Sequence, residues 1–353
     1  MATTNNVLTR HLWHIITVLA AAIGTAAAQP PATDSIAERM LVLQRSYGGW
    51  SKTFNGKAAD YRKPFDDAAL RLAGEQKDAR DATIDNGATS KEITYLLDAY
   101  QKTGNARYAD AARRGVDYLL EAQYPGGGWP QYYPDARLYR SQITYNDDAI
   151  INVLNLLKAI ADGIHGDVFD TDYRKKAQHA VDRGVQNILA TQVVIKKRKT
   201  IWAAQYDKDT LKPATARAYE LPSLATSESA NILMFLMALE QPSEAVKQAV
   251  HSGVRWFTEH DIEGYTTKIV EAPEQPTKKD RVLVEAPGEV IWARFYDLKK
   301  QRPLFAGRDG RPRKRLDQVE NERRVGYSWY GGWGDKVLNR YRKWTKVHGP
   351  ETP

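Results

Sequence analysis

Three glycines, Gly115, Gly184 and Gly253, stand at equal intervals along the chain, each inside a related segment. Arg114-Gly115-Val116 leads to Leu119-Leu120 and Gln123, Arg183-Gly184-Val185 to Ile188-Leu189 and Gln192, and Ser252-Gly253-Val254 to Trp256-Phe257. A period of this size holds one helical hairpin. Ile93, Leu96, Leu97 and Tyr100 recur at helical spacing over 86–103, and after Gly104-Asn105 the pattern resumes over 106–123. The same pairing returns at 147–161 with 173–192 and at 226–239 with 243–260. One hairpin cannot bury its own apolar face, so such repeats stack or close into a ring. The fold class expected is all-α dominated: an α/α toroid of repeated hairpins, entered by a helix over 37–47. A few short strands (266–270, 282–285 and 291–296) should pack on it at the end that carries the long loops.

This arrangement sorts the loops. Short turns at Gly104-Asn105, Gly163–Asp170 and Gln241-Pro242 fall at one end of the hairpins, and long connections fall at the other. The long ones hold Gly48-Gly49-Trp50, the run 126–133 and the segment 202–223. Helices beginning at Asp85/Asn86, Asn146/Asp147 and Thr226/Ser227 open towards them. Loops gathered by a rigid scaffold are where function concentrates, so the site is expected at that end.

The N-terminus reads as a leader. Arg10 is the only charge in 1–28, an apolar stretch follows it from about Leu12 to Ala22, and Ala26-Ala27-Ala28 precedes Gln29-Pro30. These are the parts of a secretory signal peptide, and the apolar stretch falls short of the ~20 residues of a spanning helix. Export with cleavage near Ala28 is expected, to the periplasm or beyond, leaving 29–353 as one catalytic domain. The chain has no cysteine, which excludes cysteine nucleophiles and cysteine–zinc sites; a domain this large does not need disulfides. Its net charge is +8, and loss of Arg10 with the leader lowers that by one. Excess base suits a polyanionic partner. Export argues against nucleic acid, no basic amphipathic helix points to a membrane, and an acidic polysaccharide fits both facts. A monomer is expected.

Asp85-Asn86 and Asn146-Asp147-Asp148 stand at helix starts, where Asp and Asn serve as caps contributing about 1 kcal/mol each. The second group carries more carboxylate than a cap uses. Oxygen ligands clustered without histidine or cysteine suit a hard cation such as Ca2+, and the seven histidines show no metal-ligand spacing. Trp129, Tyr132 and Tyr133 beside three glycines read either as a turn packed on the core or as a sugar-stacking platform. Lys212 and Arg217 lie in a proline-bounded loop, and Arg308 in the tight turn Gly307-Arg308-Asp309-Gly310. Cations facing a calcium site would clamp a uronate carboxylate, for which arginine's planar fork is suited. Paired carboxylates also allow a glycosidase acid and base, and a non-catalytic polyuronate-binding protein would need the same groove.

From about Met40 to Tyr341 the chain resembles the pectate lyases of polysaccharide lyase family 10. The likeness is carried by Thr83-Ile84-Asp85-Asn86-Gly87-Ala88-Thr89, Gly127-Gly128-Trp129-Pro130-Gln131-Tyr132-Tyr133-Pro134 and Ile143-Thr144-Tyr145-Asn146-Asp147-Asp148-Ala149. It continues in Ala216-Arg217-Ala218-Tyr219-Glu220-Leu221-Pro222-Ser223, Trp292–Leu298, Pro303–Gly310 and Gly326–Gly331. The resemblance implies a toroid-like fold, Ca2+, and calcium-assisted anti-β-elimination on α-1,4-linked polygalacturonate to give 4,5-unsaturated oligogalacturonides. It implies Arg217 as the catalytic base and Asp85 with one or both of Asp147 and Asp148 as the calcium and substrate-carboxylate site. Arg308 resembles a substrate-binding arginine, and Asn86, Asn146, Lys212, Trp129 and Tyr132 complete the expected substrate-binding set. The chain departs from the pattern at 202–207, where relatives often carry Cys and His in place of Ala203 and Tyr206.

Overall fold

The computed structural model describes residues 32–350; the expected leader lies outside the described residues. Among the described residues ten α-helices form: α1 Ser35–Leu43, α2 Asp67–Glu75, α3 Ser90–Thr103, α4 Ala106–Ala122, α5 Ala149–Ala161, α6 Thr171–Thr191, α7 Thr226–Leu236, α8 Glu244–Glu259, α9 Asn321–Gly326 and α10 Trp333–His348. The hairpins α3–α4, α5–α6 and α7–α8 are the three repeats read from the sequence. The second helix of each has an ordinary side-chain cap: Asn105 accepts from Arg107 N at 3.2 Å, Asp170 from Tyr173 N at 2.9 Å and Ser243 from Val246 N at 3.3 Å. Among the described residues no helix is long and apolar enough to cross a membrane.

The repeat glycines mark the closest approach within each hairpin. A methyl added at Gly115 would lie 2.6 Å from Ile93 on α3, at Gly184 2.5 Å from Leu154 on α5, and at Gly253 2.8 Å from Leu233 on α7. Two further devices recur. Trp50, Trp129, Trp202 and Trp292 are fully buried, and each indole N–H donates to a helix carbonyl: Met40 O (2.8 Å), Leu119 O (2.7 Å), Ile188 O (2.7 Å) and Phe257 O (2.9 Å). The amides of Gln44, Gln123 and Gln192 each bridge a loop carbonyl (Gly48, Gly127, Thr200) to a carbonyl of the next outer helix (Ala111, Ala180, Ala249), at 2.8–3.0 Å. Arg114 and Arg183 then donate to the oxygens of Gln44 and Gln123. Ser252 replaces that arginine in the third unit, and Gln192 Oε1 has no hydrogen-bond partner there.

The helices do not close into a toroid, and that expectation is corrected here. Packing runs in two rows, α1–α3–α5–α7–α10 and α4–α6–α8, with α10 seated on α7 and α8. No substantial packing returns from α10 to α1, α2 or α3. The ends of the stack are covered separately, by α2 packed on α1 at one side and by α10 at the other. Several small sheets accompany the helices. The largest is a long antiparallel hairpin, Ile262–Glu271 with Lys279–Ala293, whose second strand also pairs with Tyr330–Gly331. The remaining strands are two-residue pairings, two of which join distant loops: Ile143–Thr144 with Gln205–Tyr206 and Leu224–Ala225 with Phe295–Tyr296. These two stitch the lead-in of one repeat to a later loop, while the other pairings are tight hairpins within one connection.

One turn tests this packing. Gly127 has φ +88°, and a Cβ there would stand 2.0 Å from the backbone oxygen of Arg183. Gly127→Ala is expected to lower stability by about 1–3 kcal/mol, from left-handed strain and backbone collision together. The midpoint of urea unfolding reads this, and an unchanged midpoint would refute the assigned turn geometry.

Candidate active site

The cleft is built from two copies of one turn. Asp85–Gly87 precedes α3 and Asn146–Asp148 precedes α5; both are single 3₁₀ turns, and they pack against each other. Their sequences align as Thr83-Ile84-Asp85-Asn86-Gly87-Ala88 with Thr144-Tyr145-Asn146-Asp147-Asp148-Ala149. Asn86 (φ 52°) and Asp147 (φ 51°) take the same left-handed conformation, which Asn and Asp tolerate better than other side chains. The carboxylate and the amide are exchanged between copies: Asp85 matches Asn146, and Asn86 matches Asp147.

Capping does not occupy these groups. The residues flanking the starts of α3 and α5 are Thr89 and Asp148, and neither makes a side-chain cap bond. Asp85 is 3% exposed and Asn146 5%, yet Asp85 Oδ1 and Asn146 Oδ1 both lack hydrogen-bond partners. Buried oxygens are rarely left so, and a carboxylate is the costliest case. Both residues line one cleft with Lys52, Asn86, Gln131, Tyr132, Tyr139, Asp147, Gln205, Arg217 and Glu220.

Charge in the cleft is arranged in pairs. Lys52 reaches Asp85 Oδ2 in a salt bridge; burial lowers the Lys52 ammonium, but Asp85 outweighs it and leaves it raised. Burial raises the Asp147 carboxyl, Arg294 pulls it back, and Asp85 pushes it up again. Arg294, from the strand side, pairs with the fully buried Glu228 at 2.5 Å and stands 3.8 Å from Asp147. Its guanidinium also lies 5.0 Å from the centre of the Tyr327 ring. Burial of Arg294 is overcome by Glu228, Tyr327 and Asp147, so its charge is held firmly. Arg217 forms a two-pronged pair with Glu220, with Nε to Oε2 at 2.8 Å, and packs 5.0 Å from the Tyr219 ring. The Glu220 hydrogen bonds raise the Arg217 guanidinium above its ordinary range despite burial, and Tyr327 donates to the same carboxylate at 3.1 Å.

Asp85, Asp147, Asn86, Asn146, Tyr132 and Arg217 therefore meet in one place. Other expected site residues do not. Asp148 turns from the cleft to accept from Asn231 Nδ2 at 2.5 Å, and Asn231 in turn accepts from Lys336. Lys212 is exposed and does not line the cleft. Arg308 is exposed and does not line the cleft, and it pairs with Glu322 at 3.0 Å; Arg323 pairs with the same carboxylate and holds it, with Arg308, down to about 2. Trp129 is corrected outright: it is fully buried with its N–H committed to Leu119, so no face is open to a sugar. Tyr132 keeps a cleft position, with Arg140 4.5 Å over its ring.

Lys52, Glu220, Arg294 and Glu228 escaped the sequence reading. Glu220 and Arg294 lay inside segments that carried the family likeness, and each sits beside an assigned group. Lys52 follows Gly48-Gly49-Trp50 with no local mark, because its partner is remote in sequence. Among the described residues no cluster of three or more Asp, Glu, His or Cys side chains is arranged to hold a metal.

The sequence profile of the pectic acid lyase family matches residues 44–338. A family 10 polysaccharide lyase from Cellvibrio cellulosa has 33% sequence identity and a TM-score of 0.77, over 89% of this chain and 92% of that one. An Asp→Ala mutant of a family 10 polysaccharide lyase from Cellvibrio cellulosa, in complex with trigalacturonic acid, has 34% identity and a TM-score of 0.77, covering 88% and 92%. No match was found among curated proteins. The chain belongs to the pectic acid lyase family, within family 10 of the polysaccharide lyases, and is a lyase acting on polysaccharides.

Proposed function

We propose that the chain is an exported pectate lyase that cleaves α-1,4-linked polygalacturonate by anti-β-elimination with bound calcium. The observation that carries this reading is the pair of equivalent turns, with two unpartnered buried oxygens on residues that line one cleft with Arg217. Oxygen donors of this kind fit a hard cation. Asp85, Asn146 and Asp147 would hold it, with the substrate carboxylate and water completing the shell, since the protein alone offers few carboxylates. When bound, calcium supplies charge withdrawal from the C6 carboxylate of a galacturonate, which acidifies C5–H.

The remaining chemistry belongs to side chains. Arg217 takes the C5 proton, the C5–H electron pair forms the C4=C5 double bond, and the C4–O bond breaks with its pair leaving on oxygen, which gains a proton from water. Arg294 fixes Asp147, and Tyr132 offers a ring at the cleft wall. The Glu220 pair favours the charged form of Arg217, so activity should climb towards alkaline pH; an optimum near pH 5 would sink Arg217 as base.

Purified protein with polygalacturonate at alkaline pH should generate the ultraviolet absorbance of 4,5-unsaturated products, lost with excess chelator and restored by calcium. Reducing ends without that absorbance would mean hydrolysis instead. Binding without any product would mean a polyuronate-binding protein.

A further inference from the structure

Asp85 is the most enclosed carboxylate lining the cleft, and it has two oxygens with different fates. Oδ2 is taken by Lys52, whereas Oδ1 has no partner. A buried carboxylate requires a counter-charge, and Lys52 is the cation that meets it. Lys52 itself is not locked in: its side chain keeps 30% exposure at the cleft wall, against 4% for Asp85. The carboxylate of the other acidic turn, Asp147, draws on a different cation, Arg294, which Glu228 anchors in the interior. One acidic turn thus has a fixed counter-ion and the other a movable one on a flexible four-carbon stem.

We propose that Lys52 is a resident counter-ion of Asp85 that competes with calcium and is drawn away by the substrate's carboxylate, so that calcium and uronate bind cooperatively. This rests on the calcium reading above. Two cations sharing one enclosed carboxylate repel, so an arriving metal displaces the ammonium from Oδ2. The displaced ammonium sits in the same cleft as the substrate and finds its new partner in a uronate carboxylate. By linkage, each ligand then raises the affinity for the other by the same factor. Lys52 is a positioning residue in this scheme; it takes no proton from the sugar.

Calorimetric titration of calcium, with and without trigalacturonate, tests this without reference to turnover. Wild type should bind calcium weakly alone and much more tightly with the trisaccharide. Lys52→Met should bind calcium alone about tenfold more tightly, a change of about 1.4 kcal/mol, and show a smaller enhancement by the sugar, what remains coming from the substrate carboxylate in the calcium shell. Lys52→Arg, which keeps the charge, should retain the enhancement and so exclude a merely structural role. Calcium affinity that is unchanged or weaker in Lys52→Met, or an enhancement as large as that of wild type, would overturn the role of Lys52. Wild type that takes up no calcium even with trigalacturonate would instead overturn the calcium reading, and this role with it.

Discussion

Arg217→Ala is expected to lower kcat by about 10²–10⁴-fold, the range typical of removing a positioned proton acceptor, while trigalacturonate still binds. The expectation combines the cleft position of Arg217 with its two-pronged hold on Glu220. The hold also makes a second variant informative. Glu220 raises the guanidinium above its usual range, so Glu220→Gln should let Arg217 lose its proton more readily. The ascending limb of the pH–rate profile should then move to lower pH. A limb that stays in place, or an Arg217→Ala enzyme within tenfold of wild type, would remove Arg217 from the proton-transfer step. Loss of binding in parallel with kcat would recast it as a substrate clamp.

The buried pair behind the cleft should show the largest effect on stability. Glu228 is 1% exposed and Arg294 is mostly buried, and their 2.5 Å contact leaves Glu228 Oε2 and Arg294 Nε without other partners. Removing one member strands a charge in the interior, so Glu228→Ala or Arg294→Ala should destabilise by about 3–5 kcal/mol in urea unfolding. The double variant Glu228→Leu/Arg294→Met should recover much of that loss, because it removes both charges together. It should nonetheless stay impaired in catalysis, since Asp147 would lose the cation 3.8 Å away. A fully active double variant would show that the pair serves the fold alone.

The hairpins were legible because their signal is local. Gly115, Gly184 and Gly253 each stand where two helices touch, and the apolar residues opposite them recur at helical spacing. Whether such hairpins close into a ring depends on the angle and number of repeats and on what covers the ends. No short stretch of sequence encodes that, and the toroid expectation failed there. The acidic turns were legible by their excess of carboxylate, and the uncapped starts of α3 and α5 show why capping was the poorer account. Trp129 misled because aromatic residues beside glycines look alike inside and outside a fold. Its equivalents Trp50, Trp202 and Trp292, all buried with committed N–H groups, show that the position is structural. Lys52 and Arg294 were missed because their meaning lies wholly in partners distant along the chain.

The exchange of Asp and Asn between the two turns has an evolutionary reading. A duplicated scaffold begins with twin ends, and twin ends pointing at one cavity are chemically redundant. Differing by amide against acid at two positions is enough to break that redundancy: one arm becomes anionic at its enclosed site, the other at its open site. The left-handed residue keeps its place in both turns, and polarity across the cavity arises from a few side-chain atoms. A directional binding site can therefore arise from two like turns through side-chain exchange at matched positions.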